Sequence, residues 1–108
     1  MIERLNTDIS VSHGDWVSAV CDVEGVCRRA ALATFDTWVE MKLGQTEVSI
    51  MLSDDKNLRN LNKKYRGIDK PTNVLSFANL NENKTLQFKA LPQLLGDVVI
   101  AFETTLSE

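Results

Sequence analysis

Six basic side chains crowd into fifteen residues: Lys56, Arg59, Lys63, Lys64, Arg66 and Lys70 share the stretch 56–70 with a single acid, Asp69. Their chemistry is that of polyanion recognition. Ammonium and guanidinium groups can track a phosphate backbone, and the planar, always-charged fork of an arginine suits phosphate oxygens. The stretch carries six positive charges against one negative, a balance of +5, whereas the other 93 residues carry six positive against fourteen negative, or −8, leaving −3 overall. A basic edge on an acidic body attracts a polyanion there and repels it elsewhere. The plain alternative is the solvated face of an amphipathic helix.

Other chemistry is scarce. There is one histidine, His13, and the two cysteines, Cys21 and Cys27, do not form a CxxC pair. A closed zinc site of the Cys/His kind takes about four such ligands, so no metal and no cofactor are expected in this chain by itself. The cysteines read as reduced, small apolar thiols. The apolar run Val98 to Phe102 has five residues, against the roughly 20 of a membrane span. The start, Met1-Ile2-Glu3-Arg4-Leu5-Asn6, is charged at once and has no apolar h-region. No membrane partner and a cytoplasmic location are therefore expected. With 108 residues, 44% hydrophobic and 25% charged, residues 1–108 read as one globular domain, neither disordered, collagen-like nor disulfide-stapled.

The elements that must position the basic stretch follow from periodicity. Ile2 to Val11 reads as a strand, ended at His13-Gly14-Asp15. Between Asp22 and Leu43, Cys27, Ala31, Phe35, Trp38 and Met41 recur at spacings of four and three, an amphipathic helix with Gly44 at its C-terminal cap. Glu47 to Leu52 alternates as a strand with Val48, Ile50 and Leu52 on one face. Ser53, followed by Asp54 and Asp55, starts a helix to about Lys64 that buries Leu58, Leu61 and Tyr65, and Gly67 stops it. Asp69-Lys70-Pro71-Thr72 is a turn, and Asn73 to Phe77 a short strand. Residues 79–94 read as a surface loop or loose hairpin. Leu94 to Phe102 is a strand covered on both faces, and Glu103 opens a further helix with Thr104 or Thr105 near its cap. Strands alternating with helices imply an α+β fold: a small, mostly parallel mixed sheet of about four strands with helices packed on it.

The run Leu61-Asn62-Lys63-Lys64-Tyr65-Arg66-Gly67-Ile68-Asp69-Lys70-Pro71-Thr72-Asn73-Val74-Leu75-Ser76-Phe77 closely resembles the YbeY family of bacterial metal-dependent endoribonucleases. A second block, Leu95-Gly96-Asp97-Val98-Val99-Ile100-Ala101, resembles that family's next strand, in order and after a variable loop. The resemblance implies a fold similar to zinc-dependent hydrolases (zincin-like), with a helix bearing HxxxHxxxxxH whose three histidines hold one zinc ion. That motif does not occur in these 108 residues. The sequence therefore reads as the N-terminal part of a domain of roughly 150 residues, truncated before the metal-binding helix and catalytically inactive on its own.

By the same resemblance the whole protein is expected to be a zinc-dependent, single-strand-specific endoribonuclease acting in ribosomal RNA processing, maturation and ribosome quality control. Arg66 is the expected catalytic residue, stabilising charge that builds on the phosphorus. Lys63, Lys64, Arg66 and Lys70 are the expected RNA-binding residues; the structural alternative for Arg66 is an ion pair with Asp69 or Asp97. Thr72, Asn73 and Ser76 match family positions and are read as bonding to their own backbone or as cleft lining; Asp97, in the strand block, is read as a paired buried carboxylate rather than a catalytic one, and His13 lies outside every matched block. Expected partners are single-stranded or ribosomal RNA and ribosomal small-subunit proteins. Self-association is expected through sheet surface that the metal-bearing helix would cover. The alternative is a non-catalytic RNA- or ribosome-binding module that uses residues 56–70.

Overall fold

The computed structural model describes residues 5–12, 14–38, 46–78 and 93–108. In chain order these form β1 (Leu5–Val11), α1 (Asp15–Ala19), α2 (Val23–Trp38), β2 (Thr46–Ser53), α3 (Asp55–Arg66), β3 (Val74–Ala78), β4 (Gln93–Ala101) and α4 (Phe102–Ser107). The four strands make one mixed sheet in the order β1-β2-β4-β3, with β1/β2 and β2/β4 parallel and β3/β4 antiparallel. The α+β class and the four-stranded, mostly parallel sheet agree with the sequence. His13, Met41, Gly44 and residues 79–92 of the loop expected across 79–94 lie outside the described residues, whereas residues 93 and 94 belong to β4 rather than to that loop.

Register sorts side chains between the two faces, because successive residues of a strand point to opposite sides. One face joins Ile9, Val11, Val48, Ile50, Leu52, Val98 and Ile100, and α2 covers it with Cys27 and Ala31. Trp16 closes the end of this layer. Its indole Nε1 donates to the Ser53 carbonyl at 2.8 Å, and its ring meets Phe102 edge-on at 5.2 Å. The sequence reading placed only a break here, whereas α1 is a five-residue helix that delivers Trp16. On the other face α3 lies over the β3/β4 half, packing the fully buried Leu58 against Leu75, Val99 and Ala101. Its buried stripe supplies the hydrophobic term that holds the basic helix on the sheet, about 1.5–3 kcal/mol for a side chain such as Leu58.

Several element ends and one burial differ from expectation for identifiable reasons. Asp54, not Ser53, caps α3, accepting from the Asn57 amide at 2.9 Å, while Ser53 ends β2 and its hydroxyl accepts from Asn57 Nδ2. β4 ends at Ala101, and Phe102 already belongs to α4. Thr104 does not cap its own helix: its amide and hydroxyl both donate to the Asp55 carboxylate, at 3.0 and 2.8 Å. The Asp55 amide in turn donates to Glu103. An acid from α3 thus satisfies one orphan amide of α4, tying the two helix starts together. Tyr65 is 58% exposed rather than buried, because the apolar stripe of α3 runs past the end of the surface it covers.

Gly96 has a positional reason. It stands just after a register irregularity between β2 and β4, and a Cβ there would run into the Phe77 carbonyl of the neighbouring strand. The glycine lets β3 pair closely with β4.

Candidate functional site

The basic residues lie along α3 and the turn that follows it, and Lys56, Arg59, Lys63, Lys64, Arg66 and Lys70 are all exposed. Gly67 ends the helix with φ 71°, the left-handed region that glycine enters without strain. Its amide donates to the Lys63 carbonyl at 3.1 Å and that of Ile68 to the Asn62 carbonyl at 3.3 Å. Lys63, Lys64 and Arg66 occupy the last turn of α3, where positive charge also favours the helix dipole.

Asn62 organises this end of the helix, although the sequence reading gave it no role. It is 3% exposed. Its Nδ2 donates to the Lys70 carbonyl at 2.9 Å, and its Oδ1 accepts from Arg66 Nη1 at 3.4 Å. One buried amide thereby holds the Lys70 turn against the helix that carries Arg66. The available signal was spacing: residue 62 lies four beyond Leu58, on the same helix face.

Arg59 and Asp69 form a two-pronged pair across the turn, Nε to Oδ1 at 2.8 Å and Nη2 to Oδ2 at 3.3 Å. The hydrogen bond from Arg59, reinforced by its charge and that of Lys63, holds the Asp69 carboxyl below the usual carboxylate range. The same bond raises Arg59 further above its ordinary value. This pair answers the structural alternative for Arg66, whose guanidinium bonds to neither Asp69 nor Asp97. The surplus charge resides on Lys56, Lys63, Lys64, Arg66 and Lys70, and among the described residues none of these joins a salt bridge.

Lys63, Lys64, Arg66 and Lys70 are thus gathered at one end of α3. The other sequence candidates are placed differently. Asn73 Oδ1 accepts from the Val74 amide at 2.7 Å and from the Thr72 hydroxyl at 3.4 Å, so both residues shape the start of β3. Ser76 is exposed on β3, an outer strand of the sheet. Asp97 is half-buried, and among the described residues no salt bridge reaches it. It lines a groove of about 670 Å³ between α3 and the β1/β2 half of the sheet.

Among the described residues no group of three or more His, Cys, Asp or Glu side chains could hold an ion, so the described donors do not fit the zinc that the resemblance implies. Cys21 is exposed and Cys27 half-buried, both free thiols; burial, then the charge of Glu24, pushes the Cys27 thiol up. Among the described residues no helix is long and apolar enough to cross a membrane.

Comparison with known proteins agrees with the motif reading. The family model described as Endoribonuclease YbeY matches residues 22–108. The chain is 43% identical over 93 residues to Endoribonuclease YbeY of Paramagnetospirillum magneticum, covering 86% of this chain and 56% of that protein. It is 45% identical over 98 residues to the Bradyrhizobium sp. (strain BTAi1) protein of the same name, covering 91% and 57%. For a Rhodopseudomonas palustris protein of that name the identity is 41% over 102 residues, covering 94% and 58%. The chain spans little more than half the length of these curated relatives.

Proposed function

The chain belongs to the YbeY family of endoribonucleases, and from that premise we propose that it supplies the RNA-binding edge of a single-strand-specific endoribonuclease of the cytoplasm, acting in ribosomal RNA maturation and quality control. The observation that carries the reading is the basic end of α3. Four cations there, Lys63, Lys64, Arg66 and Lys70, are exposed, outside any described salt bridge, and anchored by Asn62 and the Gly67 turn.

Such an arrangement suits a phosphate backbone, because point charges on flexible stems follow it without reading sequence while an arginine grips phosphate oxygens in a fork. Arg66 is the residue we assign to the scissile phosphate, where a guanidinium stabilises charge that grows in the transition state. Single strands fit better than duplexes, since an exposed aromatic, Tyr65, stands beside the cations and can stack an unpaired base. Zinc belongs, in this reading, to the full-length family member; the described residues offer no donor set for it. Small-subunit ribosomal proteins are the protein partners we propose for the same assembly.

The test is direct binding. A fluorescent single-stranded RNA is titrated at low salt with the wild-type chain and with the double variant Arg66→Glu/Lys70→Glu. Both positions are exposed, so circular dichroism should not change. Affinity should fall at least tenfold; equal affinity for the two proteins rejects the reading.

A further inference from the structure

The sheet register builds a transverse row on the face that α3 covers only in part. Phe77 of β3 stands opposite Asp97 of β4, Asp97 is aligned with Ser49 of β2, and Ser49 with Asp8 of β1. All four line the groove beside α3, whose far wall includes Tyr65. The chemistry changes along the row. At the β3 end the Phe77 and Tyr65 rings meet edge-on, centroids 5.2 Å apart at 65°. Lys64 Nζ stands 5.1 Å from the Tyr65 ring centroid. One strand over comes the Asp97 carboxylate, outside any salt bridge among the described residues.

We propose that this groove is a nucleobase subsite that takes an unpaired base carrying an exocyclic amine, adenine or cytosine above uracil. The inference rests on the RNA reading above and deepens it. A base stacked on the Tyr65 ring, which Phe77 supports edge-on, turns its edge toward β4, and adjacent strands are about 4.8 Å apart, so an edge donor comes within reach of the Asp97 carboxylate. Asp8 lies two strands further, about 10 Å from Asp97, beyond the reach of the same base. A carboxylate accepts but does not donate. It pairs with the amine of adenine or cytosine, whereas uracil offers two carbonyl oxygens, which the carboxylate repels, and only one ring N–H.

The surroundings exclude a bare phosphate. The floor of the groove is acidic at Asp97 and Asp8, while Lys64, whose Nζ stands over the ring of groove-lining Tyr65, lies on its α3 side. The base enters the groove and its phosphates stay on the rim. Tyr65, 58% exposed although it carries a large ring, is the stacking platform.

The experiment compares labelled oligo(C), oligo(A) and oligo(U) of one length, bound by the 108-residue chain at low salt and read by anisotropy. Wild type should favour oligo(C) and oligo(A) over oligo(U). Tyr65→Ala should cost about tenfold on the favoured strands, in line with base–aromatic stacking, and Tyr65→Phe should restore most of it. Asp97→Ala should bring the three strands to equal affinity while the protein still binds RNA. If wild type binds all three strands alike, or if Tyr65→Ala binds like wild type while Arg66→Glu/Lys70→Glu abolishes binding, the subsite is overturned and the RNA interface stands. If the wild-type chain binds none of the strands, both readings fall.

Discussion

Replacing Asn62 by alanine separates a merely basic helix from a positioned one. The change removes the 2.9 Å bond to the Lys70 carbonyl and the longer 3.4 Å bond from Arg66. It also opens a small void at a side chain that is only 3% exposed. A typical hydrogen bond contributes about 1 kcal/mol net, and leaving the partly buried Lys70 carbonyl unmatched adds toward the low end of the about 1–3 kcal/mol that an unsatisfied buried group costs. The Arg66 bond adds little, because that guanidinium is exposed and can turn to water. The expected loss is about 2–3 kcal/mol. With a urea dependence of about 1–3 kcal/mol per molar for a domain of this size, the midpoint of unfolding should fall by roughly 1–2 M. Tryptophan fluorescence reads it, since Trp16 sits buried at the end of the sheet. Asn62→Asp is the control. It keeps an acceptor for Arg66 but places a carboxylate against the Lys70 carbonyl, so it should destabilise at least as much above the carboxylate pKa. A midpoint within about 0.2 M of wild type for both variants would refute the claim that Asn62 holds the turn.

Four further outcomes follow. Asp69 has a lowered pKa in the folded state, so its contribution to stability is present above the ordinary carboxylate value and is lost as pH falls through the lowered one. In Arg59→Gln its carboxyl carbon should titrate at higher pH by NMR, and an unchanged midpoint would mean that the pair does not hold in solution. Asp55→Ala should cost about 1–2 kcal/mol, as loss of a helix cap does, and speed amide exchange at Thr104. The apolar groove of about 370 Å³ between α2 and the sheet, lined by Cys27, Ala31, Phe35, Val98 and Ile100, should drive self-association of the isolated chain; sedimentation should depend on concentration in wild type and not in Ala31→Glu. The purified 108-residue chain should neither cleave RNA nor retain stoichiometric zinc, and cleavage that co-purifies through several orthogonal columns would contradict that.

Much of the fold was readable because it is carried by strong periodicities. The alternation in β2 and the spacing of four from Cys27 through Ala31 to Phe35 each name a face, and each face is where the structure puts it. α1 escaped notice because five residues after a glycine carry no repeat, and what matters in it is a single tryptophan whose partner, Ser53, is 37 residues away. Tyr65 was misplaced for the opposite reason: the spacing from Leu58 through Leu61 is genuine, but helical period says nothing about where the covered surface ends. At the site, composition exposed the basic stretch and the motif singled out Arg66. Neither reveals that Asn62 is buried, since an asparagine in a polar run looks solvated until its two partners converge on it. The alignment of Phe77, Asp97, Ser49 and Asp8 was equally hidden, because it arises from register among four strands that are far apart in sequence.

The central claim is that the end of α3 meets an RNA backbone through a small number of defined charges, and the salt dependence of binding tests it most directly. Each phosphate contact on a single strand contributes about −0.7 to the slope of log K against log salt concentration. Contacts from Lys63, Lys64, Arg66 and Lys70 therefore predict a slope near −3 for wild type, falling to near −1.5 when Arg66 and Lys70 are both replaced by glutamine. A slope that is flat, or the same in both proteins, would contradict the account.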